Sequence, residues 1–249
     1  MAADHVAISA TGEVIVTWEL FDAVCNPEEC LFFNFKLRAS KQNAGSGVWV
    51  RSSLLLGPDT DSHDAWVTFD AHGRAILVAL NEAGAYVSAT EGVSSHNWSS
   101  FNTVVQLQNP AIVSGLASDN AGNTTMVYEV IGLSQSQGFS VSGTIQANAW
   151  SSPVLLSSDT NVSQISFALA ANGAGVTAWL SSSPATEVHA AIRSGTTGTW
   201  SSAVTVSSNG ASEIAPEAAA VNAAGNAMVI YSGYDSADVH TEYATNFTA

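Results

Sequence analysis

Short apolar runs recur along the chain, each closed off by a tight-turn signal, and five of them open on a glycine. They read Gly12-Glu-Val-Ile-Val-Thr-Trp18, Gly73-Arg-Ala-Ile-Leu-Val-Ala79, Gly122-Asn-Thr-Thr-Met-Val-Tyr128, Gly173-Ala-Gly-Val-Thr-Ala-Trp179 and Gly225-Asn-Ala-Met-Val-Ile-Tyr231. Six positions after the glycine stands an aromatic residue, or Ala79 in the second run. A small or apolar stretch precedes each glycine, such as Ala65-Trp-Val-Thr-Phe69 or Glu217-Ala-Ala-Ala-Val221, with turn formers such as Asp119-Asn120 or Asn222 between. Gly, Asn and Asp accept the positive φ of tight turns, so each pair predicts a hairpin. The runs after the glycine are apolar at successive positions, as in a strand covered on both faces.

Two further strands follow in each repeat. The third alternates, as in Glu187-Val-His-Ala-Ala-Ile-Arg193 and Phe139-Ser-Val-Ser-Gly143. The fourth begins at a recurring phrase, cleanest as Trp200-Ser201-Ser202-Ala203-Val204 and repeated as Trp150-Ser151-Ser152-Pro153-Val154, with looser copies at Trp98 and Trp49. Successive Trp residues are 49, 52 and 50 positions apart. A fixed period near 50 marks an array of similar units. Four-stranded units at that spacing predict an all-β fold, a β-propeller of five blades in one domain. The expected blades are 1–61, 62–112, 113–163, 164–213 and 214–249, the last without its outer strand. An open edge of that kind can pair with another strand, so a homo-oligomer formed through it is expected as one option.

Blade one is longer than the rest. Its Gly-to-Trp distance is 37 residues against 25, 28 and 27 in the next three, and the excess falls on Phe21–Cys30. Cys25 and Cys30 sit there in one predicted loop, as a possible disulfide or as two thiols. The segment Asp59-Thr-Asp-Ser-His-Asp64 offers Asp59, Asp61 and Asp64 as oxygen ligands for a hard cation such as Ca2+; a solvated acidic turn is the alternative. No other cofactor is expected. Because strands alternate in direction, these two segments belong to the same face of a propeller, which we expect to be the binding face.

Composition narrows the partners. The 249 residues carry 21 acidic against 6 basic side chains, a formal charge of −15, which disfavours nucleic acid and anionic membranes. No apolar run reaches the ~18 residues of a membrane span. Gly-x-Ser-x-Gly, His-Glu-x-x-His and Cys-x-x-Cys are absent. Asp4, Asp64, Glu213 and Glu217 lie near the starts of first strands, where a glycosidase would hold paired carboxylates. The matching positions in blades three and four, Ser114 to Leu116 and Ser163 to Ser166, are neutral.

The ends of the repeats, Gly198-Thr-Trp-Ser201 and Asn148-Ala-Trp-Ser151, resemble the closing half of the Asp-box in secreted bacterial, sialidase-like propellers. Ser194-Gly-Thr-Thr-Gly198 lacks the Asp of a full box. Sialidases also need an arginine triad, whereas Lys36, Arg38, Lys41, Arg51 and Arg193 fall on or near outer strands. Repeat length and aromatic content are similar to those of propeller lectins. That resemblance implies sugar stacking on Trp49, Trp98, Trp150 and Trp200, with packing between blades as the alternative role. The reading that follows is an exported, non-catalytic module binding carbohydrate or protein. A glycosidase-like enzyme and an edge-paired scaffold are the alternatives.

Overall fold

The structure, a computed structural model, describes all residues except 1–2, 26–29, 52–62, 82, 93–94, 134, 184–185, 208–211, 235–238 and 249. The described residues form twenty strands and no helix. They fall into two compact units, Met1–Pro110 and Ala111–Ala249.

The first unit holds two four-stranded sheets. Sheet I is β1 (Ala3–Ile8), β2 (Val14–Cys25), β3 (Cys30–Gln42) and β4 (Trp49–Arg51), and sheet II is β5 (His63–Phe69), β6 (Ala75–Asn81), β7 (Gly84–Ala89) and β8 (Asn102–Gln106). The second unit holds three. Sheet III contains β9 (Ala111–Ser118), β10 (Thr124–Ile131), β11 (Ser136–Thr144), β12 (Ala149–Trp150) and β13 (Val154–Leu155), the last two both pairing with β11. Sheet IV is β14 (Thr160–Leu169), β15 (Gly175–Ser183), β16 (Glu187–Arg193) and β17 (Val204–Thr205). Sheet V is β18 (Ser212–Val221), β19 (Ala227–Tyr234) and β20 (His240–Phe247). All pairings are antiparallel between strands consecutive in the sheet, as in a meander.

One turn opens every sheet. In the first, the amide of Ser9 donates to the Glu13 carbonyl (2.8 Å) and that of Gly12 to the Ser9 carbonyl (3.0 Å). The same pair of bonds recurs at Asp70/Gly73, Asp119/Gly122, Ala170/Gly173 and Asn222/Gly225. The glycine must adopt positive φ, between +77° and +86° across the five, which explains its invariance among the repeats. A side chain at the first turn position reinforces four of the five. The Oδ1 of Asp119, for example, accepts from the amides of Ala121 and Asn123 at 2.9 and 2.8 Å.

The recurring Trp-Ser phrase also has a local cause. Trp98 and Trp200 make single bridges to Thr90 and Arg193, and the adjacent serine takes over the ladder. The amide of Ser201 donates to the Ile192 carbonyl (2.8 Å), and its Oγ accepts from the Ile192 amide (3.0 Å). Ser151 does the same with Ser142, and Ser99 with Ala89. A hydroxyl thus replaces a carbonyl where the outer strand swings away. The fourth strand was expected to start at the Trp; here regular pairing resumes four residues later in sheets III and IV, at Val154 and Val204.

The long β2–β3 hairpin corrects the expected loop at Phe21–Cys30. Its backbone ladder runs without a break in direction up to Cys25 opposite Cys30. Leu20-Phe and Leu31-Phe-Phe are strong strand formers, so the insertion prolongs a hairpin. The side chains of Cys25 and Cys30 lie outside the described residues, as do Asp59 and Asp61.

Cores lie between successive sheets within each unit. Ile15, Leu37 and Ala39 meet Ala65, Val67, Ala75, Leu77 and Ala79 in the first. In the second, Val127, Leu156, Val162, Trp179 and Ala191 join sheets III and IV, and Val176, Ala178, Val188 and Ala190 meet Ile214, Ala227, Val229 and Tyr231 between IV and V. Val176 and Ala178 point one way from β15 and Trp179 the other, which is why its sequence is apolar at successive positions.

Candidate functional site

The position six residues after each glycine pairs across the sheet with a third-strand residue, Trp18 with Arg38 in sheet I and Ala79 with Tyr86 in sheet II. In sheet III Tyr128 faces Phe139, stacked at 5.7 Å and 22°. In sheet V Tyr231 faces Tyr243, stacked at 5.2 Å and 16°. In sheet IV the row is Trp179, His189 and Thr205, from β15, β16 and β17. An imidazole stands where sheets III and V stack a phenyl or phenol ring.

Acidic groups flank that imidazole on both sides. Nδ1 of His189 lies 2.5 Å from Oδ2 of Asp159, which arrives from the connection between β13 and β14. Nε2 lies 3.0 Å from Oε2 of Glu187, two residues earlier on the same face of β16. Carboxylates only accept, so a doubly protonated ring satisfies both contacts at once. The indole of the fully buried Trp179 donates to Asp159 Oδ2 (3.3 Å), and the Thr205 hydroxyl donates to Glu187 Oε2 (3.3 Å). Burial pushes the Asp159 carboxyl up, but the Ser157 hydroxyl, the His189 charge and the Trp179 indole outweigh it and hold it below the usual carboxylate range.

This network floors a cleft of about 480 Å³ lined by Leu155, Ser157, Asp159, His189, Trp200 and Thr205, among others. His189 is 14% and Asp159 18% exposed, while Glu187 is 35% exposed. Hydroxyls, a carboxylate and an indole on one concave surface suit a ligand rich in hydroxyls with an apolar face.

The predicted tryptophans divide. Trp200 borders this cleft and a second one, donates from Nε1 to Ser140 Oγ on β11 (2.7 Å), and packs beside Phe167 at 6.4 Å. It is therefore both a wedge between sheets III and IV and a cleft wall. Trp98 packs on the core of the first unit. Trp150 is half-buried, and Trp49 is 48% exposed. Of the predicted cation ligands only Asp64 is described. Its amide donates to Glu19 Oε1 (2.6 Å) and its Oδ1 accepts from the Trp66 indole (3.0 Å). Among the described residues no group of three or more His, Cys, Asp or Glu side chains is placed to hold a metal ion. Glu217, a predicted carboxylate of an axial pair, accepts from Ser232 at 2.5 Å. Asp159, Glu187 and His189 were not singled out by sequence; the signal available was an imidazole in an aromatic row.

No protein-family model matches the sequence, and no curated protein does. Solved structures are similar in fold. Hadza microbial sialidase Hz136 matches 96% of this chain and 55% of its own, at 13% identity and a TM-score of 0.55. A polysaccharide lyase of family PL25, an ulvan lyase, matches 98% of this chain and 66% of its own, at 8% identity and a TM-score of 0.61. A protein of unknown function from Dyadobacter fermentans matches all of this chain and 82% of its own, at 12% identity and a TM-score of 0.59. The chain thus spans 55% of the sialidase and 66% of the lyase. At these identities the likeness speaks for the fold alone: an all-β chain of antiparallel sheets with sialidase-like β-propeller neighbours.

Proposed function

We propose that the chain is an exported carbohydrate-binding module and that the cleft beside His189 and Trp200 holds the sugar. In this reading its five sheets are blades of one β-propeller, bounded at about 61, 112, 163 and 213. The carrying observation is the sheet IV row, where Trp179, His189 and Thr205 replace the stacked aromatics of sheets III and V and open onto a cleft walled by an indole. An indole wall suits a sugar ring face, and fixed acceptors beside it suit hydroxyl groups. Fold likeness to a sialidase and a polysaccharide lyase favours a glycan over a protein ligand. Binding is favoured over hydrolysis because Asp159 and Glu187 both bond to His189, instead of standing free as a proton donor and a nucleophile.

The test replaces the odd residue with the one the repeat uses elsewhere. His189→Phe restores the aromatic row of sheet III and keeps the packing, but removes the polar floor. A glycan array followed by titration calorimetry on the best neutral oligosaccharide is expected to show binding that falls at least about tenfold in His189→Phe, because the acceptor carboxylates lose the ring that fixes them. Equal affinity in the variant, or no binder on the array, would overturn the assignment.

A further inference from the structure

On the other side of Trp200 lies a second cleft, of about 530 Å³, between the turns of sheets IV and V. Its lining includes Arg193, Asn172, Ser194, Thr196 and Thr199, and it contains no carboxylate, in a chain with 21 acidic residues. Arg193 is 7% exposed, so its guanidinium has left water almost completely. Inside the protein it is poorly compensated. Nη1 donates to the Gly173 carbonyl, and Nε has no hydrogen-bond partner. Asp119 acts on it only through its field, its own oxygens being taken by the Ala121 and Asn123 amides and the Asn123 side chain.

A buried cationic nitrogen without an acceptor is costly, and Nε of Arg193 is one. Two glycines lie close against it. A Cβ on Gly198 would stand 3.0 Å from Nη2, and one on Gly173 3.4 Å from Nη1. Both glycines also hold positive φ, +69° and +82°, and the Asp119 carboxylate lies beside the second, 3.1 Å from where its Cβ would stand. Positive φ recurs at both positions in other sheets, at the opening-turn glycines and at Gly47 and Asn148 two residues before the Trp, so it serves the turns. What is particular to sheet IV is the guanidinium itself, since Thr90 and Gly143 stand opposite the repeated Trp in sheets II and III.

We propose that this cleft is a binding site for an oxyanion, a carboxylate or sulfate group, held by Arg193 with the hydroxyls of Thr196 and Thr199 at its mouth. The fork of the guanidinium matches two oxygens of such a group, which supply the missing acceptors. The source is either a free ion or an acidic substituent on a sugar, and Trp200, shared between the two clefts, would report either.

Titration of the whole chain with sodium sulfate and with sodium glucuronate, against sodium chloride at matched ionic strength, tests this through tryptophan fluorescence and calorimetry. Saturable one-to-one binding of both oxyanions, absent with chloride, is expected. Arg193→Lys keeps the charge but loses the fork, and should weaken binding at least about fivefold; Arg193→Met should abolish it. If Arg193→Met fails to fold, Arg193→Lys still decides. A glucuronate-containing tetrasaccharide that binds at least about tenfold more tightly than the free ion assigns the site to an acidic glycan; equal affinity assigns it to the ion. No saturable response beyond chloride, or a response unchanged in Arg193→Lys, overturns the site. Because the sugar test uses neutral oligosaccharides and His189, either assignment can fail without the other.

Discussion

Asp70 illustrates how much single buried carboxylates contribute at the opening turns. Its side chain is almost wholly buried, accepts from the amides of His72 and Arg74 at 2.9 Å each, and pairs with the Arg74 guanidinium at 2.6 Å. Removing it leaves two turn amides and a largely covered cation without acceptors. Unsatisfied groups of this kind cost about 1–3 kcal/mol each, less where water can reach them. Asp70→Ala is therefore expected to destabilise the first unit by about 2–4 kcal/mol in urea unfolding. Asp70→Asn, which retains one acceptor, should lose about half as much. A loss below about 0.5 kcal/mol for the alanine variant would mean that water replaces the carboxylate freely.

The fourth strand of sheet IV carries the next prediction. Trp200 joins sheets III and IV through Ser140 and Phe167, and Ser201 carries the ladder past it. Trp200→Ala should cost about 3 kcal/mol, within the range for large core truncations. Ser201→Ala should cost about 1 kcal/mol, one hydrogen bond, while the exposed Ser202→Ala should cost almost nothing. Equal losses for the two serines would refute the ladder role. That contrast also explains what sequence could reveal. The five turn glycines and the Trp-Ser phrase were legible because their causes are local: a positive φ, or a hydroxyl one residue from a bridge. The His189 site was not, because Asp159 enters from another sheet connection, 30 positions from its partner. No spacing rule predicts that meeting. Arg193 was legible as a cation on an outer strand, but its burial follows from how the turns around Gly173 and Gly198 close on it, with Asp119 of sheet III nearby. Within the first insertion, strand-forming residues read as a loop because the apolar pattern changes register at the bulge between Phe21 and Asp22.

Charge acts on the whole molecule. With a formal charge of −15 at pH 7 and a pI near 4.4, like charges crowd the folded state more than the expanded one. Among the described residues several basic side chains are already committed, Lys41 to Glu13 at 3.3 Å and Arg74 to Asp70. Added salt screens the remainder over a Debye length that falls from ~30 Å at 0.01 M to ~8 Å at 0.15 M. The thermal midpoint at pH 7 should therefore rise between those salt concentrations, by about 2–4 °C for each kcal/mol of repulsion relieved. Acidification works against this from two sides. Burial lowers the pKa of His5, which stacks on Trp66 at 3.7 Å, below its ordinary 6.5. Asp159 lies below its ordinary 3.8. For both groups the unfolded chain takes up protons first, so their contribution is complete above those ordinary values and is lost as pH falls through the folded ones. Glu129, raised by burial, has the opposite sign: its contribution is present below 4.5 and lost as pH rises. At pH 5 protonation of histidines and of some carboxylates cuts the net charge to roughly half, while His5 has begun to count against the fold. Melting curves there should show a smaller salt dependence than at pH 7 and, at 0.15 M salt, a lower midpoint. His5→Phe keeps the stack on Trp66 without the titrating nitrogen, and should recover part of that loss. A salt increment as large at pH 5 as at pH 7 would rule out net-charge repulsion as its cause.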